Sequence, residues 1–187
     1  MKNLIILLIL LSVSSISAQD SKLPFYELPE HPQKYTAGTV AARQVEALGF
    51  RFYHATENLS VADLKYKPNE EARTTLETIQ HIYDLSKIVL NATLYSPNKN
   101  EEVNLSYLDL REQTLSNLKK ASEVLRETED LSTMFIIFGD NKIPFWNAIN
   151  GPISDAIWHC GQISSNRRSS ENPINPKVNH FMGTVRK

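Results

Sequence analysis

Apolar residues return every third or fourth position through four long stretches of the chain, and polar or proline-bearing segments separate them. From about Ala37 to Leu59 the returning residues are Ala41, Val45, Leu48, Phe52, Ala55 and Leu59. That period matches the 3.6-residue turn of a helix with one buried face. A second stripe, from about Thr74 to Leu94, places Leu76, Ile79, Tyr83 and Leu90 on one face, widened by Ile82, Leu85 and Val89. A third, from about Leu105 to Thr128, turns Leu115, Leu118, Ala121 and Leu125 inward, with Glu112, Lys119, Lys120, Glu123 and Arg126 on a solvated face. A fourth begins near Pro144, repeats through Ile149, Ile153, Ala156, Cys160 and Ile163, and ends at Arg167 and Arg168, cations suited to the negative end of a helix dipole.

The intervening segments carry different signals. Ser60 to Asp63 and Lys67-Pro68-Asn69 break the period, and Pro97 stops the second helix. Phe135 to Phe138 is a short apolar run before the turn signal Gly139-Asp140-Asn141, which predicts a connection with one short strand. Residues 21–35 hold three prolines and no period and read as an irregular lead-in. The tail, with Pro173 and Pro176, is too broken for a long helix, and Phe181 and Met182 are its expected anchors. Four amphipathic helices of about 20 residues, each roughly 30 Å long, predict an all-α four-helix bundle with an irregular lead-in and tail.

The first 18 residues change the picture of where the chain works. Lys2 precedes an unbroken apolar run, Leu4 to Leu11, and then small residues at Ser14, Ser15, Ser17 and Ala18. This is the layout of a cleavable secretory signal peptide, with the cut expected near Ala18, and the run is shorter than the roughly 20 residues that span a bilayer. Residues 19–187 then form one domain, exported to the periplasm or secreted. Removing the signal takes away Lys2 and no acid, which moves the net charge from −1 to −2. Such balance gives nucleic acid no basic face to bind. The expected partner is a small-molecule substrate, with no membrane contact after cleavage and a homodimer left open. Cys160 stands alone, so no internal disulfide forms, and stability falls to packing or a metal.

Candidate chemistry concentrates on the fourth helix, in DAIWHCGQ at 155–162. Residues four apart share a helix face, so Asp155, His159 and Gln162 form a polar stripe beside the apolar one. Polar groups beside a core need partners, and either a metal or a hydrogen-bonded network meets that need. His81, mid-way along the second helix, leans toward the core beside Leu85 and Ile88. A bundle can bring such a residue to an i, i+4 pair on another helix. Two imidazoles and one carboxylate leave positions open on zinc, nickel, manganese or iron. The alternative for His81 is a core-edge histidine bonded to Asp84 or Glu77. His54, Tyr83 and Asp84 are candidates for proton transfer. Trp146 and Trp158 read as packing residues.

The text ETIQHIYDL at 77–85, GPISDAIWHCGQISSNRR at 151–168 and ARQVEALGFRFYHATENL at 42–59 resembles the DinB-like superfamily. The likeness runs from about Thr36 to Gly183. It implies a four-helix bundle with a metal ligand on helix two, at His81, and a ligand pair on the last helix, at Asp155 and His159. Asp155 departs from the family, which most often has histidine there; a carboxylate suits harder divalent metals. The resemblance implies a metal-dependent transferase or hydrolase, in a family that includes enzymes acting on or with low-molecular-weight thiols. The alternative is an exported, non-catalytic bundle that binds a small ligand or partner and has lost the metal.

Overall fold

The computed structural model describes residues 23–100 and 103–187; the signal segment lies outside the described residues. The chain is predominantly helical, with four long helices: α1 (Ala37–Ala55), α3 (Thr75–Thr93), α4 (Tyr107–Arg126) and α6 (Ser154–Ser169). A five-residue α2 (Val61–Lys65) and a three-residue α5 (Trp146–Ala148) fill two of the connections. No helix among the described residues is long and apolar enough to cross a membrane.

Local chemistry sets the helix starts. Thr36, Ser60, Thr74 and Ser106 each accept a backbone N–H three residues on, which satisfies a donor that the helix itself leaves orphaned. In the first three, the third residue reaches back to complete a capping box. The box at Ser60 and Asp63 turns what reads as a break in the sequence into the short α2. The first long helix therefore stops at Ala55, four residues before Leu59, and Asn58 takes a left-handed φ of 56° beyond it.

Side-chain pairs fix the helix directions. Tyr83 meets Gln113 and Ser86 meets Asn117, so α3 and α4 run parallel. Tyr107 meets Thr56 while Arg126 meets Glu46, so α4 is antiparallel to α1. His81 meets Asp155 and Thr75 meets Asn166, so α6 is antiparallel to α3. The parallel α3–α4 pair needs a long crossover, residues 94–106, of which residues 97–100 and 103 lie along the outside of α3. Helices α1 and α3 flank α4, and α6 closes against both. Val45, Leu48, Phe52, Ile79, Ile82, Val89, Leu115, Leu118, Leu125, Ile153, Ala156 and Ile163 fill the space between them and are almost wholly buried. Leu76, expected inward, is exposed on the first turn of α3.

The largest departures from the sequence reading lie between α4 and α6. Phe135 to Phe138 is joined by a second strand, Asn141–Pro144, in an antiparallel hairpin closed by Gly139 at φ 55°. Pro144 thus ends a strand and does not open a helix. Helical backbone begins at Trp146 and passes through a π turn, Ile149–Ile153. Gly151 there has ψ −114° and Pro152 offers no N–H, so the regular ladder is re-established only at Ser154. The lead-in from Leu23 onward and the tail are both ordered. Phe25, at φ 69°, lays its ring so close to Gly49 that a Cβ there would stand 2.4 Å from it. Phe181 and Met182, expected as anchors, are exposed. The tail is held instead by Gly183 against Leu28, whose N–H it accepts at 2.8 Å, and by the His180 ring on Phe50.

Candidate metal centre

His81 projects from the second turn of α3 and Asp155 and His159 from the first two turns of α6, and the antiparallel packing of the two helices faces them together. His81 Nε2 lies 3.2 Å from Asp155 Oδ2, and His159 Nε2 lies 3.4 Å from Asp155 Oδ1. The rings of His81 and His159 meet edge to face with centroids 4.7 Å apart. One donor atom from each of the three falls within 4.8 Å of the others. His159 is the most enclosed of the three side chains at 13 % exposure, His81 is at 29 % and Asp155 at 45 %, so the cluster opens to solvent on the aspartate side.

These distances can be set against what an ion requires. Two donors each about 2.1 Å from a tetrahedral ion stand about 3.4 Å apart. The nitrogen–oxygen gaps of 3.2 and 3.4 Å are near that length but run to different oxygens of Asp155, and three donors taken one per residue lie within 4.8 Å of one another, so an ion would draw them closer; the donor set of two imidazoles and a carboxylate fits zinc or a neighbouring divalent metal. A further bond fixes one of the rings. His159 Nδ1 lies 2.7 Å from Gln162 Oε1, an atom that can only accept, so Nδ1 carries a proton. Nε2 of the ring so held lies 3.4 Å from Asp155 Oδ1 and makes no hydrogen bond to it. Only a cation between them, or a second ring proton, makes that contact favourable. Gln162 thus stands to His159 as an outer partner stands to a metal-ligating histidine.

The other sequence candidates lie elsewhere. His54 is neither a rim nor a surface residue: it is buried among Tyr26, Phe50 and Tyr53, with Nε2 at 3.0 Å from the Tyr26 carbonyl. Burial holds its pKa below the ordinary imidazole value, against the raising effects of that carbonyl and of Glu57. Tyr83 donates to Gln113, and Asp84 pairs with Lys87 and accepts from Gln80. The alternative partners named for His81 are therefore committed: Asp84 as above, and Glu77 in its capping box. Cys160 is a core residue whose thiol burial pushes up to about 12, which leaves it protonated and unreactive. Trp146 and Trp158, read as packing residues, are 77 % and 73 % exposed.

Two buried arginines that the sequence reading took only as a helix-end charge, or passed over, hold the far end of this arrangement. Arg167 donates to the carbonyls of His54 and Ala55, and Arg111 to the carbonyl of Tyr53 and the hydroxyl of Thr56. Together they satisfy the orphaned carbonyls at the end of α1 and tie it to α4 and α6. A groove of about 980 Å³ runs between the outer face of α3 and the crossover, with Gln80, Asp84, Lys87 and Asn98 on its walls. It passes beside His81 and includes none of the three clustered residues.

No protein-family model matches the chain, and no match is found among curated proteins or solved structures.

Proposed function

We propose that this is an exported metalloprotein with a four-helix bundle of DinB-like type, holding a divalent ion through His81, Asp155 and His159. The observation that carries this reading is the His159 geometry. A ring whose Nδ1 donates to Gln162 has its Nε2 3.4 Å from a carboxylate with no hydrogen bond between them, and a cation there would serve both. When bound, the ion supplies Lewis acidity that lowers the pKa of a coordinated water or substrate thiol and makes it a nucleophile near neutral pH. The protein's own part is to present three donors from two rigid helices, to orient His159 through Gln162 and to keep the Asp155 side open to a ligand. The reaction class that follows is transfer or hydrolysis on a small molecule.

A second reading has its own support. His81 can donate an N–H to Asp155 at 3.2 Å, and a protonated His159 satisfies the other oxygen, so the cluster closes on itself as an ion-pair network without a metal. The chain is then a non-catalytic bundle.

Metal titration of chelator-stripped protein from residue 19 onward separates the two. The metalloprotein reading expects zinc, nickel, manganese or iron to bind more tightly than ~10 µM. Binding weaker than that for all four removes it. Asp155→Ala should weaken binding sharply, because two donors remain. Asp155→His should keep or tighten zinc binding, since imidazole suits zinc at least as well. If Asp155 is a structural acid, both variants lose about 1–3 kcal/mol of stability and melting ignores chelator.

A further inference from the structure

Trp158 immediately precedes His159, and its indole is 73 % exposed, while the other large apolar side chains of α6, Ile157 and Ile163, are packed or buried. The inward stripe of this helix is Ala156, Cys160 and Ile163, and Trp158 stands on the opposite side. It lies three residues after Asp155 and four before Gln162, the two spacings that make neighbours on a helix surface. Helical side chains lean toward the N-terminus of their helix, which carries the indole over the turn that bears Asp155. Asp155 is also the most exposed of the three clustered residues, so the indole borders the open side of the cluster. Gly161, one turn beyond Trp158, has open space where a side chain would stand, and leaves that edge clear.

The surroundings decide what such a ring is for. Ser154, Gly161, Gln162, Ser165, Arg168 and Ser169, the other exposed positions of α6, are none of them apolar. Along α6 the indole is therefore a single apolar side chain among polar ones, short of the contiguous patch of several hundred Å² on which a protein or membrane contact draws. It is the right size for one planar ring, since aromatic pairs stack with centroids about 4.5–7 Å apart. Side chains at this helical spacing have Cβ atoms about 5–6 Å apart. A ring on the indole therefore lies within reach of a donor group beside Asp155 when one or two bonds join them.

We propose that Trp158 is the stacking wall of the site, and that the ligand it selects carries an aromatic or heteroaromatic ring one or two bonds from an anionic metal-binding group. This rests on the reading of His81, Asp155 and His159 as metal ligands.

The test uses two hydroxamates that differ in the ring. Zinc-loaded protein is titrated with benzohydroxamate and acetohydroxamate, in the wild type, Trp158→Ala and Trp158→Phe. Zinc affinity is measured separately for each. Stacking of a planar ring on an aromatic side chain is worth roughly 5- to 100-fold. The wild type should prefer benzohydroxamate by a factor in that range, Trp158→Ala should lose most of the preference, and Trp158→Phe should restore much of it, with zinc affinity unchanged throughout. In a Trp146→Phe background, benzohydroxamate should quench the remaining tryptophan emission and acetohydroxamate should not. If zinc binds normally but the preference is the same with tryptophan or alanine at 158, this inference fails alone. If zinc does not bind the wild type, the metal reading fails and this inference with it.

Discussion

Replacing Gln162 by leucine isolates one hydrogen bond of the cluster. Its Oε1 accepts from His159 Nδ1 at 2.7 Å, and this bond holds the ring with Nε2 facing Asp155. Leucine removes the acceptor, so the ring is free to turn or to place its proton on Nε2, and the protein must restore the ligating form when metal arrives. Loss of such outer partners costs about 10- to 100-fold in metal affinity, or about 1.4–2.7 kcal/mol. Residue 162 is exposed, so stability without metal should change by no more than about 0.5 kcal/mol. Gln162→Glu keeps an acceptor and adds charge, and should bind zinc as tightly or more so. Competition against a chromophoric chelator gives the affinities, and melting with and without zinc gives an independent check. At a zinc concentration 100 times the wild-type Kd, binding stabilises by about 2.7 kcal/mol; a 10- to 100-fold weaker site retains about 1.4 to 0.4. For a domain of this size, that loss lowers the zinc-bound Tm by about 3–9 °C. Wild-type zinc affinity in Gln162→Leu would refute the argument, because His159 would then need no orienting partner.

Two further outcomes test the scaffold. A Cβ at position 38 would stand 1.9 Å from the Thr128 carbonyl oxygen and 2.3 Å from that of Leu125, so Gly38→Ala should force α1 away from the end of α4 and cost at least about 1–3 kcal/mol in urea unfolding. Burial lowers the folded-state pKa of His54 below 6.5, and that of His180 likewise, so the unfolded chain binds more protons just below that pH. The stability these residues hold is full above pH 6.5 and is lost as pH falls through their folded values. His54→Gln should flatten that decline, and an unchanged slope in denaturation midpoints against pH would show that His54 does not titrate on unfolding.

Period was a reliable guide where one face of a helix meets the core, and a poor one where backbone chemistry intervenes. The stripes through Val45, Ile79 and Leu118 placed three long helices to within a few residues, because burial repeats with the turn. Spacing also placed Asp155 and His159 together, while their meeting with His81 depended on the packing of α3 against α6. What period could not register is the hairpin at 135–144 and the π turn at 149–153. There Gly139, Gly151 and Pro152 set the path through φ, ψ and a missing N–H. The exposure of Trp158 was misread, and the burial of His54 went unseen, for a related reason. Hydropathy assigns an indole to the core and an imidazole to the rim, but neighbours decide: Tyr26 of the lead-in covers His54, and the outer face of α6 is left bare.

The clasp between Leu28 and Gly183 also bears on the order in which the molecule can be finished. A ribosome delivers the lead-in about 150 residues before its partner. Until residue 183 has emerged, the edge of α1 that carries Phe50 lacks the His180 ring, and Leu28 lacks its bond. Helices α1, α3 and α4 can pair well before that, and α6 brings Asp155 and His159 later. A nascent chain of which everything up to Ser169 has emerged can hold His81, Asp155 and His159 in register while Phe50 still lacks the His180 ring.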